Sequence, residues 1–314
     1  MRAAAILLLV SAATAGIAVL VPQKPDLPPP GRFVTVDGAR LHLWCTGQGS
    51  PTIVLEAGLG GTTLSWAWLQ PELARSTRVC SYDRPGMGWS EPLAHPRDGR
   101  SQARLLHRLL AAAGEQGPYI LAGHSIGGAY VRLFRDQYRN EVAGLILIDS
   151  VQPGYCERMP GAEESVHSLS VRLSLCRRAA VLPLAPVLLP RMAAWEDLPA
   201  PAQPAATSFE RSSRQVESME RETSEWFPTL KQVAQARPLR DLPLLVLSSE
   251  SAAGPVRPEW MPYWREMQKD LGTLSRQSVS HTVPGANQET IIVNRAHARF
   301  VMRAVLDWMC AVSL

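Results

Sequence analysis

The sequence has no long run of basic residues and no recognisable motif for binding a metal ion or a nucleotide. Its 32 basic and 28 acidic residues nearly balance, and a net charge of +4 without a basic cluster does not indicate a nucleic-acid partner. We therefore expect no nucleic-acid binding and no cofactor. The 46% content of hydrophobic residues is ordinary for a globular protein, and 314 residues suffice for one large domain with an insertion.

Charge is also missing from the N-terminal segment that follows Arg2. Residues 3–21 carry no charged side chain, which is about the length needed to span a bilayer. Residues 1–21 therefore predict a signal peptide or signal anchor, and we expect export to the periplasmic side, either secreted or membrane-anchored. Residues 13–15 resemble a cleavage site, but the apolar run continues beyond them, which favours an uncleaved anchor. Prolines then indicate a stiff spacer over residues 22–31.

A G-x-S-x-G motif occupies residues 123–127. It lies between an apolar run that predicts a strand and a segment whose apolar residues have helical spacing. In that context the motif predicts a nucleophile elbow, a tight strand-to-helix turn that exposes a serine hydroxyl. Ser125 is therefore the candidate nucleophile.

Short apolar runs alternate with helical segments along the chain. A hairpin is marked by Asp37 and Gly38, and further strands are predicted at residues 52–56, 78–82, 120–122, 144–148, 244–247 and 278–283. Continuous apolar strands of this kind predict an α/β fold with a mostly parallel sheet covered by helices on both faces.

The strand rhythm stops in residues 151–238, a segment too long for a structureless loop. We interpret this segment as a helical cap inserted between two parts of a core, residues 32–150 and 239–314. Its apolar side chains favour a pocket for an apolar acyl or alcohol group, although they equally suit packing on the core; they are Leu182, Leu184, Leu188, Leu189 and Trp195.

Residues 51–60 (PTIVLEAGLG), residues 82–90 (YDRPGMGWS) and the elbow together resemble the α/β-hydrolase superfamily. The resemblance covers nearly everything after the spacer and points to bacterial exported hydrolases with a helical lid, whose reported activities are mostly ester hydrolysis. It implies an eight-stranded sheet and an oxyanion hole built from the N–H groups of Leu59 and Ile126. His124, beside the nucleophile, is the ordinary occupant of a variable position in the elbow and is not predicted to be the base.

Two predictions concern the cysteines, and the first is implied by the resemblance. The resemblance places the second strand beside the fourth, which predicts a Cys45–Cys80 disulfide in an oxidising compartment. A Cys156–Cys176 bridge within the cap is a second prediction, and it leaves Cys310 unpaired.

The acid of the expected triad has no residue at its usual place, because that place falls near Ser251 or Ala252. Asp149, at the end of the sixth strand, is favoured, since some relatives such as haloalkane dehalogenases carry the acid there. Glu250 is the alternative acid. Asp149 is nearly as compatible with a structural role at the strand end.

The base is where the sequence departs from the family. Relatives carry a histidine in the loop after the last strand, and Gln288 occupies that position here. A glutamine has no nitrogen that titrates near neutral pH, so it cannot accept the serine proton. His281, in the last strand, is the alternative base, while His297 and His167 are further candidates; His281 and His297 are each more compatible with structural roles.

Two functions remain open from the sequence. The first is a serine esterase acting on small apolar esters and impaired by loss of its base, whether as a natural or an engineered variant. The second is a pseudoenzyme that binds an apolar ligand or a partner. The N-terminal segment adds a membrane contact if it stays uncleaved, and the sequence does not determine the oligomeric state.

Overall fold

The computed structural model describes residues 27–179, 194–210, 212–252 and 257–314. The predicted signal segment, residues 22–26 of the spacer and the four cap leucines named above lie outside the described residues. Within these ranges, no helix combines the length and the apolar character needed to cross a membrane.

A single eight-stranded sheet forms the centre of the described part of the chain, with spatial order β1-β2-β4-β3-β5-β6-β7-β8. The antiparallel pairs are β1 with β2 and β2 with β4, and the other neighbours are parallel. The strands are β1 (Arg32–Val36), β2 (Ala39–Thr46), β3 (Thr52–Glu56), β4 (Val79–Tyr82), β5 (Tyr119–His124), β6 (Val142–Ile148), β7 (Leu244–Ser249) and β8 (Ser278–Val283).

Both faces of the central strands are buried, as the continuous apolar runs predict, whereas the edge strands β1 and β8 are largely exposed. In β3, Val54 packs into one hydrophobic cluster, whereas Ile53 and Leu55 pack into another. Alternate side chains of a strand point to opposite faces, so helices must cover both. The predicted α/β architecture, an eight-stranded and mostly parallel sheet with helices on both faces, is confirmed.

Eleven α-helices lie in the described ranges. They are α1 (Leu69–Leu73), α2 (Gly99–Ala113), α3 (Ile126–Gln137), α4 (Tyr155–Arg158), α5 (Ala162–Ala179), α6 (Gln203–Glu210), α7 (Ser213–Ser224), α8 (Trp226–Ala234), α9 (Met261–Gly272), α10 (Thr290–Val293) and α11 (Arg295–Ala311). Helices α4 to α8 follow one another between β6 and β7, within the segment interpreted above as a cap. The division into core and cap stays a prediction.

The Cys45–Cys80 disulfide is confirmed. The two residues face each other on the antiparallel strands β2 and β4, and their sulfurs are bonded. The second prediction, a Cys156–Cys176 bridge, is wrong, because both are free thiols. Cys176 is instead packed in an apolar cluster with Leu173, Val216 and Met219. Cys310 is unpaired, as expected.

Candidate active site

Ser125 occupies a sharp turn between strand β5 and helix α3. Its backbone angles, φ 54° and ψ −122°, are unfavourable for a residue with a side chain. Glycines make the turn possible, because a Cβ on Gly127 would lie 2.4 Å from the Glu56 carbonyl oxygen, and one on Gly128 would lie 1.8 Å from the Ser150 hydroxyl. This is the geometry of a nucleophile elbow.

Gln288 is the polar side chain in hydrogen-bond contact with the Ser125 hydroxyl. Its Nε2 donates to Ser125 Oγ over 3.0 Å. Both residues are buried, with 5% of Gln288 and 9% of Ser125 exposed. An amide N–H donor orients the serine oxygen but cannot take its proton. The structure therefore brings the candidate nucleophile together with the residue that stands in the base position.

The two candidate oxyanion donors lie on either side of the serine. Ile126 is the first residue of helix α3, so its N–H has no acceptor within the helix. Leu59 lies in the loop after β3, and its N–H meets no acceptor among the described residues. Gly58 brings this loop against the nucleophile, because a Cβ placed on it would stand 3.2 Å from the Ser125 Cβ.

Asp149 is fully buried at the end of β6, and its carboxylate is occupied by groups other than Gln288. Oδ1 accepts hydrogen bonds from the Ser249 N–H and the Trp264 indole, each at 2.9 Å, and Oδ2 accepts one from the Ser249 hydroxyl. Burial raises the pKa of Asp149, and these three hydrogen bonds partly oppose the rise. The arrangement matches the structural role that the sequence left open for this residue.

Glu250, the alternative acid, is exposed but is attached to the loop that carries Gln288. Its Oε2 accepts a hydrogen bond from the Gly285 N–H at 2.7 Å. Ser251, next in the chain, binds the same loop through its N–H and its hydroxyl, which both donate to the Ala286 carbonyl. The usual acid position therefore holds an uncharged side chain.

His124 contacts the same loop from the other side. Its Nε2 lies 2.9 Å from the Gln288 carbonyl oxygen. A carbonyl only accepts, so Nε2 carries the proton and donates. Burial lowers the pKa of His124 to about 4, so the ring is neutral near pH 7. His124 thus helps to place Gln288, a contact that its reading as an ordinary elbow residue missed.

The remaining candidate histidines stand away from the serine. His281 is exposed on strand β8, with its ring 6.5 Å from that of Phe300. His297, on α11, donates from Nδ1 to the Thr290 carbonyl at 3.2 Å. His167 is exposed on α5. None of the three lines the cavity above Ser125.

A cavity of about 570 Å³ opens above Ser125. Its walls come from the elbow, the loop after β3, helices α4, α5, α7 and α8, and the loop after β8. Trp195, from the cap segment, also contributes. The apolar lining residues are Leu59, Val151, Tyr155, Val166, Leu169, Trp195, Trp226, Ile292 and Val293. Four charged side chains also line the cavity, Glu164, Arg172, Arg257 and Glu289. A ligand seated here would place an apolar portion against the apolar residues next to the serine hydroxyl.

The described residues contain one grouping of side chains with metal-ligand chemistry, Cys45, Cys80 and Glu115. The two cysteines are joined in the disulfide, and Glu115 binds Arg78 through both carboxylate oxygens. Their donor atoms are therefore committed to other bonds, and this grouping does not fit a metal ion.

Comparison with known proteins agrees with this geometry. Residues 51–251 match the sequence model of a family described as alpha/beta hydrolase fold. An uncharacterized protein of Schizosaccharomyces pombe is 33% identical over 151 residues, 38% of this chain and 28% of that protein. The chain spans between 18% and 54% of the length of the first curated relatives that it matches.

Solved structures share the fold over most of the chain. A thermophilic esterase from Thermogutta terrifontis is similar with a TM-score of 0.64 and 20% identity, over 89% of this chain and 98% of that one. The epoxide hydrolase CorEH is similar with a TM-score of 0.65 and 17% identity, over 90% and 98%. At these identities the likeness shows the fold.

Proposed function

The chain belongs to the α/β-hydrolase family, and from that premise we propose that it is a serine hydrolase acting on carboxylic esters through an acyl-enzyme on Ser125. The observation that carries the proposal is the elbow, which presents a buried serine hydroxyl beside two free backbone donors. The esterase from Thermogutta terrifontis shares this fold and supports the reaction class.

In the proposed reaction, Ser125 Oγ attacks the ester carbonyl carbon. The N–H groups of Leu59 and Ile126 stabilise the negative charge that develops on the carbonyl oxygen. The bond to the alcohol then breaks, and the serine proton ends on the departing alcohol. Water later attacks the acyl group, which releases the acid and restores the serine.

The proton transfers set the speed of this reaction. Gln288 points an amide N–H at Ser125 Oγ and has no titratable nitrogen, so solvent water must carry the proton in both steps. A positioned general base contributes about 10²–10⁴-fold to rate. We therefore expect slow acylation, slow deacylation and a preference for esters with good leaving groups.

The proposal extends to the substrate and to the location of the protein. The apolar part of the cavity next to the serine suits a small ester with an apolar acyl or alcohol group. Export through residues 1–21 is supported by the Cys45–Cys80 disulfide, since such bonds persist in oxidising compartments. The helices between β6 and β7 would then serve as the lid over the cavity.

Labelling with a fluorophosphonate probe tests the assignment of the nucleophile. The Ser125 oxygen should displace fluoride from phosphorus, slowly, and mass spectrometry should find the adduct on the peptide that contains residue 125. The Ser125→Ala variant is the matched control and should stay unlabelled. Equal labelling of that variant, or an adduct on another residue, would show that the site is elsewhere.

A second function is favoured by one specific observation. Both positions that usually hold the titratable acid and base of the triad hold side chains that do not titrate near neutral pH, Ser251 and Gln288. A non-catalytic protein that binds an apolar ligand or a partner would retain the cavity without them. Such a protein would bind an apolar ester in calorimetry and release no acid over hours, whereas the proposed hydrolase releases acid in a Ser125-dependent way.

A further inference from the structure

Arg84 is a buried guanidinium next to the site, and sequence analysis assigned it no role beyond membership of the motif at residues 82–90. The side chain is 1% exposed, yet all five of its N–H groups have acceptors. Nε and Nη2 donate to the two carboxylate oxygens of Glu222 at 2.8 and 3.0 Å. Nη1 donates to Glu56 Oε1 and to the Ala57 carbonyl, and Nη2 also donates to the Gly58 carbonyl, each at 2.7 Å.

The contact with Gly58 helps to fix one of the candidate oxyanion donors, together with the Gly61 N–H, which donates to the same carbonyl at 3.0 Å. The Gly58 carbonyl and the Leu59 N–H belong to one planar peptide group, in which they point to opposite sides. A residue that holds the carbonyl therefore also sets the direction of the N–H. Since Gly58 lies against Ser125, a small rotation of this peptide would turn the Leu59 N–H away from the reacting oxygen.

Helix α7, from the segment between β6 and β7, completes the arrangement. It provides Glu222, which is 138 residues away from Arg84 in the chain. It also provides Gln215, a buried residue whose Nε2 donates to the Gly60 carbonyl at 2.7 Å. The loop after β3 is therefore bound to α7 at two carbonyls, directly at Gly60 and through Arg84 at Gly58.

The same turn of α7 reaches the cavity. Thr223, which follows Glu222, and Trp226 at the start of α8 both line it. A ligand that fills the cavity therefore touches the chain segment whose neighbouring residue holds Arg84. The residues that would contact the ligand, Thr223 and Trp226, therefore lie within four positions of Glu222, which holds Arg84.

The buried charges make this arrangement sensitive to substitution. Two carboxylates share Arg84, and each has one further donor, the Tyr82 hydroxyl for Glu56 and Gln102 Nε2 for Glu222. Burial raises the pKa of Glu56, and the charge of Arg84 opposes that rise. Removing one member of a buried ion pair leaves the other uncompensated, which is strongly destabilising. Conservative variants are therefore needed.

We propose that Arg84 and Glu222 are positioning residues for the oxyanion hole: the buried pair fixes the peptide between Gly58 and Leu59, and it makes that geometry depend on the docking of helix α7. The inference rests on the proposed role of Ser125 as the nucleophile. It assigns to α7 a part in the alignment of the site in addition to covering the cavity.

The test compares variants of the full chain in fluorophosphonate labelling, measured as a limiting rate constant and a half-saturating probe concentration. Glu222→Asp keeps the charge but draws the carboxylate back by about 1.5 Å, one C–C bond, so it cannot reach both Arg84 nitrogens. Arg84→Lys keeps the charge and loses the planar fork of donors. Each should lower the limiting rate constant about tenfold or more, with the half-saturating concentration nearly unchanged.

Glu220→Gln is the matched control, because it lies on the same helix and breaks an ion pair with Arg177, whose side chain is exposed. It should label within about twofold of the parent. A Glu222→Asp protein that is folded by circular dichroism and labels as fast as the parent would overturn the inference, as would a change confined to the half-saturating concentration. If Arg84→Lys does not fold, Glu222→Asp decides alone. Failure of the parent to label at Ser125 would instead refute the proposed function.

Discussion

At the scale of single residues, the contact between Gln288 and Ser125 shows which part of the candidate site is present and which is missing. The nucleophile and the backbone donors are in place, but the side chain that touches the serine cannot act as a general base. The elbow and the donors need only backbone geometry, which glycines and a helix start supply. Proton transfer needs a side chain that titrates, and the amide that touches the serine does not. The absence of a titratable nitrogen at position 288 therefore leaves the fold of the site intact but removes the contribution of a general base to the reaction rate.

Restoring a titratable nitrogen at this position should restore the rate. We expect Gln288→His to raise the rate of ester hydrolysis by at least about 10²-fold, the low end of the contribution of a positioned base. Steady-state turnover of a p-nitrophenyl ester measures this, with Ser125→Ala in the same background as the control. Adding Asp149→Ala or Glu250→Ala separately would show which carboxylate orients the new ring. A fast parent that is unaffected by Gln288→His but inactivated by His281→Ala would identify His281 as the base.

His95 offers a residue-scale prediction about stability. Both of its ring nitrogens are buried without partners among the described residues, and burial lowers the pKa of His95 to about 4. The unfolded ring binds a proton near pH 6.5, so the free energy of unfolding should fall as the pH drops from about 6.5 to about 4. In urea titrations, His95→Leu should reduce this slope by up to about 1.4 kcal/mol per pH unit, the value for one proton. An unchanged slope would contradict the assignment of a buried neutral ring.

Sequence reasoning reached some of these residues and missed others for a physical reason. Ser125 and Gln288 lie in local patterns, an elbow and the loop after a strand, so their positions follow from neighbours in the chain. Glu222 lies in a charged amphipathic helix where a buried carboxylate has no local signal. Its partner Arg84 is 138 residues away, and only the fold brings the two together.

At the scale of elements, the strands were the most predictable part. The strands expected at residues 52–56 and 278–283 are β3 and β8 with the same bounds. Strand β3 is buried throughout, as a continuous apolar run in a parallel sheet predicts, whereas β8 is the largely exposed edge strand. The hairpin expected at Asp37 and Gly38 joins β1 to β2, with both residues at positive φ. The Cys156–Cys176 pairing was wrong because both cysteines lie on helices. Strand pairing sets which residues face each other in a sheet, but the sequence does not show how these two helices pack.

The disulfide between β2 and β4 should stabilise the folded protein, because it restricts the conformations of the unfolded chain. A bond across 35 residues is expected to contribute about 2–4 kcal/mol to the free energy of unfolding. Urea unfolding with and without reductant measures the difference. The Cys45→Ala/Cys80→Ala double variant should be as unstable as the reduced parent and should not respond to reductant. A reductant effect of equal size in that variant would assign the stabilisation to something else.

At the scale of the whole molecule, helices from the segment between β6 and β7 form one site with the loops that follow β3, β5 and β8. Helix α7 holds the loop after β3 through Gln215 and Glu222, while Thr223 and Trp226 form part of the cavity wall. The sequence predicted a helical insertion but not this connection, because its members come from distant segments of the chain. The described fold thus aligns candidate donors around a serine, while the side chain in hydrogen-bond contact with its hydroxyl, Gln288, cannot take the proton.

The claim that Ser125 has no general base is tested by its rate of fluorophosphonate labelling, measured from pH 5 to pH 8. The neutral His124 has a pKa of about 4, below this range, and Gln288 does not titrate. We expect slow labelling without an inflection near pH 6–7 in the parent, and faster labelling with such an inflection in Gln288→His. A parent that labels rapidly, with a rate that rises through a midpoint near pH 6–7, would show that a histidine base already serves Ser125.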